Sequence, residues 1–153
     1  MTLLLPFQRE CLQQIAEQDA LLLMGRGLGV ERVMLYFMLM HATPTSLVVL
    51  LNATAEDVDF FNTELVRMSS SSFVSESGNE RVSRPLIVNV NSEMTQTDRK
   101  SAYLKGGLFA VTSRVLVMDL LLEVIPVQMV TGIVVAHADQ FVALFVCLEF
   151  TQI

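Results

Sequence analysis

The sequence predicts an α/β protein in which a parallel sheet is flanked by helices. Short apolar runs alternate with longer segments of helical periodicity, and this alternation is typical of parallel sheets. The hydrophobic share of 52% and the charged share of 17% favour a sheet that is covered on both faces. The length of 153 residues is that of one domain with a substantial core.

The first elements are predicted to be a helix, a strand and a second helix. Pro6 at a first helical position, followed by apolar residues at helical spacing, predicts a helix that ends at about Gln18. The apolar run Ala20–Met24 predicts a buried strand, which leads into a glycine-rich turn. Helical spacing resumes over Val30–His41 and stops before Pro44.

A second strand and a third helix follow along the chain. The run Ser46–Leu51 is apolar after its first residue and predicts another buried strand. Thr54 can cap the helix behind it, whose acidic residues lie in its first turns, where the helix dipole favours them. The serine-rich segment Ser69–Arg84 predicts a flexible loop.

The rest of the chain continues the alternation and ends in a different kind of segment. Strands are expected at 85–90, 108–111 and 132–136, and helices at about 95–104 and 113–122, the second capped by Thr112. We therefore assign residues 1–138 to one domain and residues 139–153 to an apolar, helix-like tail.

The glycine turn has the form of a phosphate-binding loop without its chemistry. Such a loop needs glycines whose backbone N–H groups converge on the anion, a lysine for the terminal phosphates and a Ser/Thr hydroxyl for magnesium. Gly25, Gly27 and Gly29 are present, but Val30 stands in place of the lysine and Glu31 in place of the hydroxyl. A tight connection with no ligand is the other interpretation of this turn.

A second catalytic position is also altered. An ATP-hydrolysing site needs an acidic pair after a later apolar strand, to hold magnesium and polarise water. Directly after the residues Gly132–Val135 of the last predicted strand, this chain has instead Ala136, His137, Ala138 and Asp139. We therefore expect no ATP hydrolysis. His137 with Asp139 fits either a metal or acid–base pair or an ordinary histidine, since only His41 adds a second imidazole and no ligand spacing occurs.

One basic cluster interrupts an acidic chain. The net charge of −6 argues against a general nucleic-acid coat, yet residues 99–118 contain no acid. Such a patch can hold a nucleic-acid backbone, or it can be a solvated face. The candidate DNA-binding residues are Arg99, Lys100, Lys105, Thr112 and Arg114.

Several other classes of protein are disfavoured. The two cysteines, Cys11 and Cys147, give no sign of a disulfide scaffold. The N-terminus has no basic start and too short an apolar run for a signal peptide. The uncharged stretch Val124–Ala138 falls short of the roughly 20 residues that span a bilayer. We expect neither secretion by a signal peptide nor a membrane span.

Three stretches carry a family resemblance: “LLPFQRECLQQI”, “LLLMGRGLGVERVMLYFMLMH” and “KGGLFAVTSRVLVMDLLLEVIPVQMVTGIVV”. Over roughly Leu4 to Val135 the chain resembles the N-terminal part of the XPF-type DNA repair endonucleases. The block from Ala110 to Asp119 is the most specific of the matching pieces.

The resemblance implies a RecA-like, superfamily-2 helicase-like domain that has lost its ATPase motifs. It implies a nuclear heterodimer that cuts damaged DNA in nucleotide excision repair and crosslink repair, in which this region engages branched DNA and scaffold proteins. In that family a separate nuclease domain with the signature E-R-K-x-x-x-D cuts with a divalent metal. Here Glu31-Arg32 and Glu80-Arg81 are each followed by valine, and the helix-hairpin-helix module that binds the partner subunit is missing.

The resemblance therefore implies a truncated, non-catalytic fragment that ends before the sheet of the family is complete and holds no cofactor. Two other functions remain open. The chain can be an ATP-dependent helicase or nucleotide-binding protein with an unorthodox site, or a protein interaction scaffold without a nucleic-acid role.

Overall fold

The computed structural model of the chain describes residues 4–43, 45–70 and 86–138, and it confirms the predicted parallel α/β fold. Four parallel strands lie in the order β2-β3-β1-β4, with five α-helices around them in the described part. The elements are α1 (Pro6–Ile15), α2 (Val30–His41), β1 (Leu47–Leu51), α3 (Ala55–Ser70), β2 (Ile87–Val90), α4 (Gln96–Leu104), β3 (Gly107–Val111), α5 (Ser113–Leu121), a 3-10 turn (Val127–Met129) and β4 (Val130–Val135).

The core lies on both faces of β1, all five residues of which are buried. Val48 and Leu50 pack on one face with apolar residues of α2 and α3. Leu47, Val49 and Leu51 pack on the other face with residues of α4 and α5. Because side chains alternate along a strand, an unbroken apolar run at this central position supplies both layers.

The prediction of a strand at Ala20–Met24 is wrong. The segment is extended but pairs with no strand among the described residues, and β4 pairs there with β1 alone. Leu22 and Met24 pack against the small core that joins α1 and α2, whereas Leu21 and Leu23 are 73% and 84% exposed. An apolar run becomes a strand only where another strand offers free backbone groups, and here one side of the run packs on helices instead.

Several predicted boundaries shift by a few residues. Helix α1 ends at Ile15 rather than near Gln18, and α3 continues through Ser70, two residues into the predicted loop. The last strand begins at Val130 and ends at Val135, one residue before its predicted end. The remainder of the predicted loop and the predicted tail, with Asp139, lie outside the described residues.

Threonines begin three of the helices on one edge of the sheet. The hydroxyl oxygens of Thr54, Thr95 and Thr112 accept backbone N–H bonds from three residues further on, at 3.1, 3.2 and 3.4 Å. The predicted caps at Thr54 and Thr112 are confirmed. Each cap follows the carboxyl end of a parallel strand, so the helix N-termini gather at the edge where α/β proteins place their ligand sites.

Candidate functional site

The side-chain amide of Gln8 is buried against the glycine turn and hydrogen-bonds to it. This residue is 2% exposed, and its Nε2 donates to the carbonyl oxygen of Leu28 at 2.7 Å while its Oε1 accepts from the backbone N–H of Leu5 at 3.0 Å. Gly29 has φ +74°, and a Cβ built on it would lie 2.8 Å from Gln8 Nε2. Backbone conformation and close packing thus explain this glycine without a bound phosphate.

The other residues predicted for a nucleotide loop also meet in this turn. Gly25 accepts the turn hydrogen bond from Leu28 N at 3.2 Å, and Gly27 has φ +83°. Val30 begins α2, and Glu31 places an exposed carboxylate in its first turn. A carboxylate stabilises a helix N-terminus but repels the phosphate that would occupy the same end.

The carboxyl ends of β1 and β4 are tied together by a group that we call the β1–β4 clasp (Asn52, Thr54, Asp57 and His137). Asn52 Nδ2 donates to the carbonyl oxygens of Ala136 and His137 at 3.1 and 3.2 Å. The His137 Nε2 atom lies 3.0 Å from Asp57 Oδ2, which also accepts from Thr54 N and Thr54 Oγ1 at 2.7 and 2.8 Å. Four hydrogen-bonding side chains thus join the carboxyl ends of β1 and β4 to the start of α3.

The clasp favours an ionised Asp57. Partial burial opposes ionisation, but the hydrogen bonds from Thr54 and His137, together with the charge of the imidazole, outweigh it and lower the pKa of the Asp57 carboxyl. Asn52 and His137 adopt left-handed backbone conformations, with φ of 57° and 49°. Such conformations are uncommon outside glycine, although both residue types are enriched there, so the clasp holds the strand ends in a particular local geometry.

His137 and His41 lie at opposite ends of β4. The carbonyl oxygen of His41 accepts from Thr131 Oγ1 at 2.9 Å near the start of that strand, whereas His137 follows its end. Asp139, the predicted partner of His137, lies outside the described residues, and the imidazole pairs with Asp57 instead. Within the described ranges, no three His, Cys, Asp or Glu side chains gather closely enough to hold a metal ion.

The predicted basic cluster is divided by the fold. Lys105 caps the carboxyl end of α4 before β3 begins, and Arg114 lies in the first turn of α5 after β3 has ended. Five residues of strand separate them by about 16 Å, at roughly 3.3 Å per residue. The hydroxyl of Thr112 accepts the capping bond of α5 beside Arg114. Residues that are neighbours in the sequence thus occupy opposite edges of the sheet.

Arg99 is engaged in a buried ion pair and is not the exposed cation that the sequence suggested. Its Nη2 and Nε donate to the two carboxylate oxygens of Asp119 at 2.7 and 2.9 Å, and its Nη1 donates to the carbonyl oxygen of Met94 at 2.7 Å. The Asp119 side chain is 0% exposed and that of Arg99 12%. We therefore remove Arg99 from the candidate DNA contacts.

Tyr103 completes this Arg99–Tyr103–Asp119 triad. Its hydroxyl donates to Asp119 Oδ2 at 2.9 Å, and burial together with this bond raises the pKa of the phenol. Arg99 and Tyr103 lie one turn apart on the same face of α4, while Asp119 belongs to α5. The triad thus fixes the position of α4 against α5. Its sequence signal is a single acid inside the apolar run of α5.

The opposite face of α4 carries a shallow groove of about 720 Å³, which we call the α4 groove. Its lining forms two rows with helical i, i+4, i+8 spacing. The lining residues are Gln96, Lys100 and Leu104 in one row and Thr97, Ser101 and Lys105 in the other. Both lysines of the chain are therefore in this groove, and its described lining contains no carboxylate.

Comparison with known proteins gives a consistent set of relatives. No protein-family model matches the chain. The DNA repair protein rad16 of Schizosaccharomyces pombe is 34% identical over 140 residues, which is 91% of this chain and 14% of that protein. The DNA repair endonuclease XPF of Cricetulus griseus is 31% identical over 93% of the chain, and the DNA repair protein RAD1 of Saccharomyces cerevisiae is 33% identical over 91%.

The chain resembles the XPF-type DNA repair endonucleases. The resemblance inferred from the sequence is thereby confirmed. The XPF-like chain spans about 14% of the length of each of these three relatives, so it corresponds to a small part of them. Among its described residues, no helix combines the length and the apolar character that crossing a bilayer requires.

Proposed function

We propose that this chain is a non-catalytic, helicase-like module of an XPF-type DNA repair endonuclease. The proposal depends above all on one observation: relatives at 31 to 34% identity over more than nine-tenths of the chain are named as DNA repair proteins, one of them as an endonuclease. The sequence itself contains no E-R-K-x-x-x-D nuclease signature. The module acts in the nucleus, in nucleotide excision repair and crosslink repair, by contacting branched or damaged DNA.

The loss of motor chemistry supports the non-catalytic part of the proposal. In the glycine turn, the side-chain amide of Gln8 hydrogen-bonds to the Leu28 carbonyl, so the turn is held without a bound phosphate. The carboxylate of Glu31 repels an anion at the N-terminus of α2. At the ends of β1 and β4, the clasp occupies the position of the magnesium carboxylates. A site with these groups lacks the phosphate-binding lysine and the magnesium carboxylates that phosphoryl transfer uses.

DNA contact is supported by the candidate cations other than Arg99, which are exposed. Lys100 and Lys105 lie in the α4 groove, and Arg114 lies exposed at the N-terminus of α5. These positions supply phosphate contacts, which dominate non-specific affinity for DNA.

The test uses the full chain, a forked DNA and Mg-ATP. We expect forked DNA to bind at low salt and to bind more weakly to Arg114→Glu, and we expect calorimetry with Mg-ATP to give no binding heat. Equal affinity of the wild type and Arg114→Glu at low salt would remove Arg114 from the interface. Micromolar binding of Mg-ATP would favour the alternative of an ATP-dependent helicase or nucleotide-binding protein.

A second candidate function, a protein interaction scaffold, is favoured by exposed apolar residues near the end of α5. Met118, Leu121 and Leu122 are all exposed there, and clustered apolar surface is typical of interaction sites. The two functions separate in a binding assay with a repair scaffold protein. Binding that survives neutralisation of Lys100, Lys105 and Arg114 but is lost in Leu121→Asp supports the scaffold function. Protein binding that is lost with the cations but kept in Leu121→Asp contradicts a scaffold contact through these apolar residues.

A further inference from the structure

We infer that the α4 groove is a binding site for the phosphate backbone of duplex DNA, with Lys100 and Lys105 as its two phosphate contacts; this inference rests on the proposed function and specifies its surface. The two ammonium groups are placed in adjacent rows of the same helix face. Thr97, Ser101 and Gln96 add neutral hydrogen-bond donors beside them. Lysines, hydroxyls and amides are the groups that proteins direct at phosphate oxygens.

The electrostatics of α4 favour an anion on this face despite the negative charge of the chain. Asp98, an acid within α4, accepts from the hydroxyl of Thr95 at 2.6 Å and is absent from the lining of the groove. The buried carboxylate of Asp119 is neutralised by Arg99 on the other side of the helix. The two lysine charges in the groove are thus not paired within it, and a local field of this kind acts on a charged ligand independently of net charge.

The groove is held in place before any ligand arrives. Arg99 and Tyr103 attach the inner face of α4 to Asp119 of α5, and Thr95 caps the helix start. Side chains on the outer face therefore project from a fixed helix, although the lysine side chains themselves are flexible. A preorganised scaffold reduces the ordering cost of binding.

The chemistry of the lining points to the backbone of a duplex rather than to unstacked bases. The single aromatic residue of α4, Tyr103, is buried in the triad and cannot stack on a base. Stacking on aromatic side chains is a main source of affinity for single strands. Lys100 and Lys105 are separated by about 7.5 Å along the helix axis at 1.5 Å per residue, which allows each to meet a different phosphate. Contacts of this kind carry no sequence preference.

The first experiment measures the salt dependence of DNA binding by the full chain and by Lys100→Glu/Lys105→Glu. Two phosphate contacts contribute about 1.8 to the slope of log affinity against log salt on duplex DNA and about 1.4 on single strands. We expect the double variant to lose about 1.8 from the slope on a duplex, and to bind at least about tenfold more weakly at about 50 mM salt. The matched control is Arg9→Glu/Arg26→Glu, which makes the same change in net charge at exposed arginines outside the groove and should retain the wild-type slope.

The second experiment uses the fact that the chain has only two lysines. Acetylation of the wild type by a limiting reagent, read by mass spectrometry, should be reduced severalfold at both lysines when duplex DNA is present. The protection should disappear in high salt, and a change of duplex sequence should not alter it. A thymine homopolymer of equal length should protect less than the duplex.

The outcomes separate the two proposals. If the wild type binds forked and duplex DNA but neither the slope nor the acetylation responds as described, the groove is not the contact, and the proposed function stands with its interface elsewhere. Equal loss of affinity in the arginine control, or stronger binding of the homopolymer, also overturns the duplex site. If the wild type binds no DNA even at low salt, both the DNA contact of the proposed function and the groove are refuted.

Discussion

Removal of the Asp119 carboxylate should destabilise the fold far more than removal of the Tyr103 hydroxyl that binds to it. The side chain is fully buried and receives three charge-assisted bonds from Arg99 and one hydrogen bond from Tyr103. In Asp119→Ala, the guanidinium loses its counter-charge while largely buried, and the phenol loses its partner. Breaking a buried pair costs about 3–5 kcal/mol, and an unsatisfied hydroxyl about 1–3 kcal/mol, with overlap between the two.

We expect Asp119→Ala to lower the free energy of unfolding by about 4 kcal/mol, a large part of the stability of a typical domain. Urea unfolding followed by circular dichroism at 25 °C measures this value as the shift in midpoint multiplied by the slope. Arg99→Ala should cost a similar amount, because it leaves a carboxylate alone in the core. Tyr103→Phe should cost only about 1 kcal/mol, since it removes a single hydrogen bond and keeps the ring in place.

An apolar replacement of the whole triad provides the control for this reasoning. Arg99→Met/Tyr103→Phe/Asp119→Leu removes every charge and every donor of the triad together, so that only the carbonyl oxygen of half-buried Met94 loses a partner. Such replacements are often neutral or stabilising, and the triple variant should therefore be more stable than Asp119→Ala. A loss below about 1 kcal/mol in Asp119→Ala, or a triple variant that is less stable than that single variant, would refute the assigned role of the triad.

Two further predictions concern the turn and the clasp. Gly29→Ala should lower the unfolding free energy by about 1–3 kcal/mol, because the new methyl group meets Gln8 Nε2 at 2.8 Å in a left-handed conformation. Gly27→Ala, which has a left-handed conformation but open space around it, should lower it by about 1 kcal/mol. Equal urea midpoints for the two variants would contradict the clash. Asp57→Ala should cost about 1 kcal/mol at neutral pH. Because the pKa of Asp57 in the folded state lies below its ordinary value of 3.8, this stability is present above that pH and lost as pH falls through the folded pKa. The urea midpoints of the wild type and Asp57→Ala should therefore differ at pH 7 and converge as the pH is lowered. A difference that stays constant would show that ionisation of Asp57 contributes nothing to stability.

Local sequence signals were sufficient where an element depends on its own residues. Helix α2 has the predicted bounds Val30–His41, because a left-handed Gly29 precedes a long stretch of helical apolar spacing. Strand β1 begins one residue later than predicted and ends at the predicted Leu51, because a short apolar run at the centre of a sheet buries both of its faces. The caps at Thr54 and Thr112 depend on a hydroxyl and a backbone N–H three residues away, so they were visible in the sequence.

The errors arose where an element depends on distant residues. The apolar run Ala20–Met24 has the composition of a strand, but strand formation depends on a pairing partner that composition does not identify. Arg99 was grouped with its sequence neighbours, although its decisive contact is Asp119, twenty residues away on another helix. The bond from Asn52 to the carbonyl of His137 joins residues 85 positions apart, and no local pattern predicts it.

Internal hydrogen bonds hold the carboxyl edge of the sheet in its shape. In an active site at this edge, bound nucleotide and metal would help to hold the strand ends and the glycine turn together. Here internal hydrogen bonds make those connections: Gln8 joins α1 to the turn, and Asn52 and Asp57 join β1 and α3 to the end of β4. Under the proposed function, the outer face of α4 adds the two lysines of the chain to Arg114 as cations that can contact DNA.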